Sequence, residues 1–217
     1  MANNLKDIYV GVNKQDSNRR KNDFYPTPPL ATYILCKYVR PPQNVVEPCA
    51  GRGNISIELE RNGHNVKSFD LNEYDNNLVE VATGVGVLDL ERPEGYDGLV
   101  TNPPYHKDLP RKIAEKAVKE YPYVAMFVRL TFLEGKKRNK LFTNYPPSDI
   151  IFLSDRVKFD QGHVEPVEKQ DQTGGMIAYA WVIWDRRILN FEKTTKLHWA
   201  LLENDYGEWR RQYEATK

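Results

Sequence analysis

The fold class of this chain follows from residues 44–54, which read Asn44-Val45-Val46-Glu47-Pro48-Cys49-Ala50-Gly51-Arg52-Gly53-Asn54. The apolar start predicts a strand over residues 44–47, and the pattern that follows predicts a helix over residues 55–61. Glycines between a strand and a helix let the backbone turn tightly and leave space for a ligand above the helix N-terminus. The dinucleotide-binding fingerprint has Gly or Ala at position 56, where this chain has Ser56, so the turn alone fits several nucleotide-binding families.

The alternation of strands and helices continues on both sides of this turn. Pro28 and Pro29 predict entry into a helix over residues 30–39. Further along, apolar runs predict strands over 66–69, 85–88, 96–100 and 124–130, and helices over 75–82 and 109–120. Strands over 150–153 and 176–184 have no full helix between them, which indicates an antiparallel edge hairpin. We therefore predict an α/β protein with a doubly wound, mostly parallel, Rossmann-like sheet.

Length and patterning divide the chain into three parts. Its 217 residues allow one α/β domain, which we place at residues 23–190, after a polar N-terminal arm at residues 1–22. Residues 191–217 are predicted to be a C-terminal helical segment that packs on this domain. Its apolar positions recur at a spacing of three to four residues: Trp199, Leu202, Tyr206 and Trp209. Core packing is the first interpretation of that face, and a homodimer contact is the second.

Composition argues against several classes of protein. No apolar run approaches the roughly 18 residues that span a bilayer, and residues 1–23 lack the apolar stretch of a signal peptide. The two cysteines, Cys36 and Cys49, make no disulfide framework, and no Cys/His cluster has metal-ligand spacing. A net charge of +1 leaves the partner open. We therefore expect a cytoplasmic protein without membrane or metal.

A rigid tetrapeptide, Asn102-Pro103-Pro104-Tyr105, follows the strand predicted to end at residue 100. Two prolines do not continue a sheet and instead make a stiff turn. Such a turn can hold two acceptors, the Asn102 amide oxygen and the Pro103 carbonyl, against the two hydrogens of a planar amine such as that of adenine. Tyr105 would supply a ring on which a flipped base stacks, worth roughly 1–3 kcal/mol. Orientation and electrostatics would then carry the chemistry.

These motifs together resemble the amino-group DNA methyltransferases of the Rossmann-like class, whose catalytic motif is Asp/Asn/Ser-Pro-Pro-Tyr/Phe. Residues 24–29, Phe24-Tyr25-Pro26-Thr27-Pro28-Pro29, precede the glycine turn, which precedes Asn102. That order is similar to the adenine-specific group with TaqI-like motif order. The matched motifs span residues 24–105, which is 82 of the 217 residues. The resemblance implies a class I methyltransferase that uses S-adenosylmethionine to methylate N6 of a flipped-out adenine in DNA.

The resemblance also implies roles for single residues. Thr27 would contact the carboxylate end of the cofactor, Glu47 its methionine amino group, and Asp89 its adenine amine. Asp70 would hold the ribose, at close to the spacing of a ribose-binding carboxylate, although a helix N-cap or turn residue is the alternative. The implied cofactor-binding set is Tyr25, Thr27, Glu47, Pro48, Gly51, Gly53, Asp70 and Asp89, and the catalytic set is Asn102, Pro103, Pro104 and Tyr105.

Contacts to DNA are predicted on two loops. The densest basic run contains Lys136, Lys137, Arg138 and Lys140 and follows the strand predicted to end at residue 130. A solvated charged loop is the alternative. Phe159 is the candidate to cover the other face of the target base, against a core phenylalanine. Little of the sequence follows residue 185, so we expect no large target-recognition region, and sequence selectivity that is modest, built from loops or supplied by a separate specificity partner. By analogy with the family, this predicts an orphan enzyme of a bacterial or phage-infected cell.

Three other functions fit the same motifs. Some RNA adenine methyltransferases and the glutamine methyltransferases of release factors also use Asn-Pro-Pro-Tyr. A non-catalytic binding module of the same fold is the third. The segment before the glycine turn favours adenine in nucleic acid, and the intact set of Asn102, Tyr105, Asp70 and both glycines argues against a relic that only binds.

Overall fold

Eight strands form one sheet in the computed structural model, which describes residues 25–157, 177–187 and 194–215. The strands are β1 (Asn44–Glu47), β2 (Asn65–Asp70), β3 (Val81–Thr83), β4 (Gly98–Thr101), β5 (Tyr123–Arg129), β6 (Asp149–Leu153), β7 (Tyr179–Asp185) and β8 (Lys196–Ala200). Their order is β3-β2-β1-β4-β5-β7-β6-β8. Neighbours are parallel except that β7 runs antiparallel to both β5 and β6. The predicted doubly wound sheet with an antiparallel pair is confirmed.

Five α-helices flank this sheet within the described ranges. They are α1 (Pro29–Tyr38), α2 (Asn54–Arg61), α3 (Leu109–Glu120), α4 (Asn139–Asn144) and α5 (Leu202–Ala215). Proline occupies the first turn of α1 and of α3, where its missing N–H costs no helical hydrogen bond. No helix among the described residues is long and apolar enough to cross a membrane.

The sheet separates two hydrophobic cores. Val45 belongs to the core that includes α1, α2, Trp181 and Trp209, whereas its neighbour Val46 belongs to the core beneath α3. Successive side chains of a strand point to opposite faces, so a strand covered on both sides is continuously apolar. From β1 the strand order runs outward to β2 and β3 on one side and to β4 and β5 on the other, so the order reverses between β1 and β4. In such sheets, ligands bind at this reversal, beyond the carboxyl ends of the strands.

Two predicted elements between β2 and β4 were wrong. No helix covers residues 75–82, and the strand lies at Val81–Thr83 rather than at residues 85–88. The backbone before β3 is instead tied to the glycine turn, because Leu78 N donates to Arg52 O at 2.8 Å. Val81 then pairs with Ser68 of β2, and Val87 fills the core from a turn rather than from a strand.

The C-terminal segment also differs from its predicted form. Residues 196–200 form β8, which pairs in parallel with β6 and makes β8 the edge strand, and the helix begins only at Leu202. Leu202 and Trp209 are buried, as core packing requires, whereas Trp199 is 63% exposed and stacks on Phe152 with ring centroids 4.6 Å apart. The predicted arm at residues 1–22 lies outside the described residues.

Candidate active site

A cleft opens where β1 and β4 end, at the reversal of strand order. The space within it is about 880 Å³ with the solvent at its opening included. Most of its lining comes from four segments: residues 25–27, the glycine turn after β1, the loop after β2 and the tetrapeptide after β4. The sequence-predicted residues that line it are Tyr25, Thr27, Glu47, Pro48, Gly51, Asp70, Asn102, Pro103, Pro104 and Tyr105.

The floor of the cleft is the turn between β1 and α2. Gly51 has φ +56° and Gly53 has φ +88°, a left-handed conformation that glycine adopts without a steric cost. Gly53 also approaches the loop after β2 so closely that a Cβ there would lie 2.4 Å from Val79 Cγ2. The turn therefore depends on glycine at position 53 for two reasons, backbone conformation and space.

We expect Gly53→Ala to destabilise the protein more than Gly63→Ala. Both residues have a φ near +85°, but nothing lies within 4 Å of a Cβ at Gly63. The shared backbone strain costs roughly 1–2 kcal/mol, and crowding against the stiff Val79 adds roughly 1–3 kcal/mol at position 53 only. Thermal unfolding should show an additional decrease in Tm of about 2–4 °C per kcal/mol. Equal melting temperatures for the two variants would contradict the close approach.

Asp70 ties the turn to the end of β2. Its carboxylate accepts hydrogen bonds from the backbone N–H groups of Gly51 and Asn72, both at 2.8 Å. Burial raises the pKa of Asp70, and these N–H groups counteract that effect. Asp70 therefore makes the contacts expected of a turn residue, which was the alternative to a ribose-binding role. It also lines the cleft, where its remaining lone pairs can accept hydrogen bonds from a ligand.

Glu47 is a buried carboxyl group at the end of β1. One oxygen, Oε2, accepts from the backbone N–H of Ser56 at 2.8 Å and also from the Ser56 hydroxyl, which in turn lies 2.6 Å from Ser68 Oγ. Burial raises the pKa of Glu47 to about 8 despite these bonds. Ser56, the departure from the dinucleotide fingerprint, is therefore the residue that holds Glu47 in place.

The tetrapeptide places an amide in a fixed orientation at the cleft. Asn102 Nδ2 donates to Thr27 Oγ1 at 3.0 Å, and the Tyr105 hydroxyl lies 2.6 Å from Asn102 Oδ1 and 2.9 Å from the Phe127 carbonyl. The bonds to Thr27 and Tyr105 hold the Asn102 side chain in place at both ends. Because Thr27 and Tyr105 carry hydroxyl groups that can each donate or accept, the bonds fix the position and plane of the amide, here with Nδ2 toward Thr27 and Oδ1 toward Tyr105. A second lone pair of Oδ1 is available to a ligand. The sequence did not indicate the bond between Thr27 and Asn102.

The ring of Tyr105 already has neighbours. The Arg129 guanidinium lies over it, with Cζ 4.6 Å from the ring centroid, and Tyr179 meets it edge-on at 6.0 Å. A base that stacks on the Arg129 side of this ring has to displace the guanidinium. Sequence reasoning did not identify Arg129, because its position depends on the pairing of β4 with β5.

No protein-family model matches the sequence, and no curated protein matches it significantly. Solved structures match the fold. A protein from Listeria monocytogenes assigned as a class I S-adenosylmethionine-dependent methyltransferase has a TM-score of 0.53 at 12% identity, over 85% of this chain and 69% of its own. One from Pyrococcus horikoshii assigned as an RNA methyltransferase has a TM-score of 0.54 at 16% identity, over 76% of this chain and 87% of its own. The chain has the class I methyltransferase fold.

Two predicted site residues, Asp89 and Gly53, do not line the cleft. Asp89 is exposed and does not line it; the lining residue from that segment is Val87. Gly53 supports the turn from behind, against Val79, and is not in the lining. Phe24 and Phe159 lie outside the described residues.

Several residues that line the cleft were not predicted from the sequence, among them Asn54, Asn72, Tyr74 and His106. Asn54 is the most informative, because its Nδ2 is buried and has no hydrogen-bond partner among the described residues. A buried donor without a partner costs about 1–3 kcal/mol, so a ligand acceptor that reaches it recovers that energy. The signal was present in the sequence, since Asn54 follows the second glycine of the turn directly.

The predicted basic run lies near the tetrapeptide, because Arg138 and Tyr105 line the same small cleft. Lys136–Arg138 forms a 3-10 turn and Lys140 lies in α4, with Lys136, Lys137 and Lys140 exposed. Arg138 alone turns inward, where its Nη2 donates to the Thr131 carbonyl at 2.8 Å. No group of three or more His, Cys, Asp or Glu side chains within residues 25–157, 177–187 and 194–215 is arranged to hold a metal ion.

Proposed function

We propose that this protein transfers a methyl group from S-adenosylmethionine to the exocyclic N6 amine of adenine in DNA. The observation that carries the proposal is the Asn102 amide, held between Thr27 and Tyr105 in the lining of a cleft that Glu47 and Asp70 also line. The class I methyltransferase fold supports methyl transfer, and the tetrapeptide supports a planar amine as the acceptor.

The cleft residues fit the polar groups of this cofactor. Asp70 would accept from the ribose hydroxyls, and Glu47 would pair with the methionine ammonium through Oε1, which has no partner among the described residues. The unpaired Asn54 Nδ2 would donate to the methionine carboxylate. When bound, S-adenosylmethionine supplies an electrophilic methyl group attached to a sulfonium.

Cofactor affinity should rise with pH between 6 and 8. Glu47 has a raised pKa, about 8, so most of it is neutral at pH 6, and pairing with an ammonium group requires the ionised form. Binding must therefore release a proton, and Kd should fall by up to about tenfold per pH unit below the pKa. Isothermal titration at several pH values measures this slope. Glu47→Gln should bind more weakly and with a flatter profile; a wild-type slope in that variant would contradict the assignment.

The chain's contribution to the reaction is orientation of the amine. The adenine amine is a weak nucleophile because its lone pair is delocalised into the ring. Asn102 Oδ1 and the Pro103 carbonyl would each accept one of its hydrogens, which favours tetrahedral nitrogen and stabilises the positive charge that develops there. The proton becomes acidic only as transfer proceeds, so no strong base is required. Tyr105 would serve both as a stacking surface and as the donor that keeps Asn102 oriented.

The choice of DNA over RNA or a protein amide rests on the resemblance of the motif order. Purified protein should therefore be incubated with S-adenosylmethionine in three separate reactions. One contains unmethylated DNA, one RNA of matched sequence, and one a peptide containing glutamine. Digestion and mass spectrometry should find N6-methyladenine in the DNA sample. Methylation confined to RNA or to the peptide would overturn the DNA assignment and leave the methyltransferase assignment in place.

A further inference from the structure

A second cleft adjoins the first, and the two share Tyr105 as a wall. It is formed by the segments that follow β4 and β5 and has a volume of about 490 Å³, with the solvent at its mouth included. Four cationic side chains line it, Lys107, Arg111, Arg129 and Arg138, against one anionic side chain, Asp108. The lining is therefore strongly positive, next to the proposed site of methyl transfer.

Only one of the four cations is neutralised. Arg111 makes ion pairs with Asp108 at 2.6 Å and with Glu115 at 2.5 Å. Lys107, Arg129 and Arg138 have no carboxylate partner among the described parts of the chain. Three positive charges that converge on one cleft repel one another, and an anion in the cleft relieves that repulsion.

Arg129 and Arg138 are held in place by aromatic rings, and Arg138 also donates from Nη2 to the Thr131 carbonyl. The Arg129 guanidinium lies over Tyr105, and that of Arg138 lies 5.3 Å from the Phe132 ring centroid. The Nε atoms of both are buried and have no hydrogen-bond partner in the part of the chain that the structure describes. Buried guanidinium N–H groups without acceptors indicate a ligand that presents oxygen atoms, and the planar fork of arginine matches phosphate geometry.

We propose that this cleft binds a backbone phosphate of the nucleic-acid strand whose target base enters the cofactor cleft. This proposal rests on the proposed function. It adds Arg129 and Lys107, which belong to none of the motifs, as substrate-binding residues. Extruding a base costs a few kcal/mol, which backbone contacts offset. Because Arg129 covers Tyr105 in the structure, its movement to the phosphate would uncover the ring for the incoming base.

The test is the salt dependence of DNA binding, measured by fluorescence anisotropy with a labelled, unmethylated duplex. Wild type, Arg129→Gln and Lys107→Gln would be compared with Lys119→Gln, which removes an exposed charge at the far end of α3. Loss of one phosphate contact lowers the slope of log K against log salt by about one unit. Each cleft variant should therefore lose roughly three- to fourfold less affinity between 50 and 200 mM salt than wild type does. Arg129→Lys should restore part of the slope.

The outcomes separate this proposal from the one on which it rests. If wild type methylates DNA but both cleft variants keep the wild-type slope, as we expect of Lys119→Gln, the phosphate site is wrong and the proposed function stands. If wild type neither binds nor methylates DNA, both fail. Lys107 is exposed, so its variant should fold normally even if Arg129→Gln disturbs Tyr105. Circular dichroism and S-adenosylmethionine affinity, both expected to be unchanged in Lys107→Gln, check that point.

Discussion

Asn102→Ala should lower kcat for methyl transfer by roughly 10²–10³-fold, the usual effect of removing one oriented polar group at a reacting centre. The Asn102 amide is held in place by Thr27 on one side and Tyr105 on the other, with Oδ1 on the Tyr105 side and a second lone pair available to the substrate amine. Alanine removes that acceptor without filling the cleft. Single-turnover kinetics with labelled cofactor measure the change, and the Kd for S-adenosylmethionine should change by less than about threefold, since Asn102 is assigned to the acceptor.

Two further variants sharpen this result. Thr27→Val removes the hydroxyl that accepts from Asn102 Nδ2 while keeping the side-chain shape, so it should lower kcat less than Asn102→Ala by allowing the amide to turn. Asn204→Ala, at an exposed position of α5, is the matched control and should have wild-type kinetics. A loss of cofactor binding in Asn102→Ala equal to its loss of kcat would contradict the assigned role.

Asp70→Ala should weaken S-adenosylmethionine binding by roughly 10- to 100-fold, because hydrogen bonds to a charged group contribute about 1.5–3 kcal/mol each. The carboxylate lines the cleft and also anchors the N–H groups of Gly51 and Asn72. Its effect on folding should be smaller. Alanine leaves these N–H groups without their acceptor but relieves the desolvation that raises the pKa of Asp70.

The control for this variant is Asp75→Ala, which removes an exposed carboxylate from the same loop. Isothermal titration gives the affinities, and thermal unfolding without cofactor gives the stabilities. Cofactor should raise the Tm of wild type and of Asp75→Ala, and much less that of Asp70→Ala. Similar shifts in all three proteins would show that Asp70 only stabilises the turn.

Local sequence predicted the parts of the fold that depend on near neighbours. β1, the glycine turn and α2 lie within 18 consecutive residues, and each has its own signal. Residues 196–200 carried no comparable signal. Leu197 and Trp199 alternate as in a strand, while Trp199 and Leu202 also fit a helix, and pairing with β6 decides between the two. The same holds for β3, a strand of three residues that exists through its pairing with β2.

The candidate site was likewise predictable where it depends on local sequence and not where it depends on contacts between distant segments. Glu47 and Asp70 end β1 and β2, and Asn102 directly follows β4, so their positions in the sequence predict that they lie at one edge of the sheet. The bond from Asn102 to Thr27 joins residues 75 positions apart, and the basic cleft depends on β5 lying beside β4. Asp89 was misplaced because the strand before it was predicted at residues 85–88, and that segment is a turn.

The central claim is that the amide held by Thr27 and Tyr105 directs a methyl group to an exocyclic amine. The most direct measurement uses S-adenosylmethionine with a trideuterated methyl group and unmethylated DNA, followed by mass spectrometry of the digested nucleosides against isomeric standards. We predict label in N6-methyl-2′-deoxyadenosine with wild type and its loss with Asn102→Ala. Label at a ring nitrogen or a ring carbon, or no label in any nucleoside while a small molecule is methylated, would contradict the account.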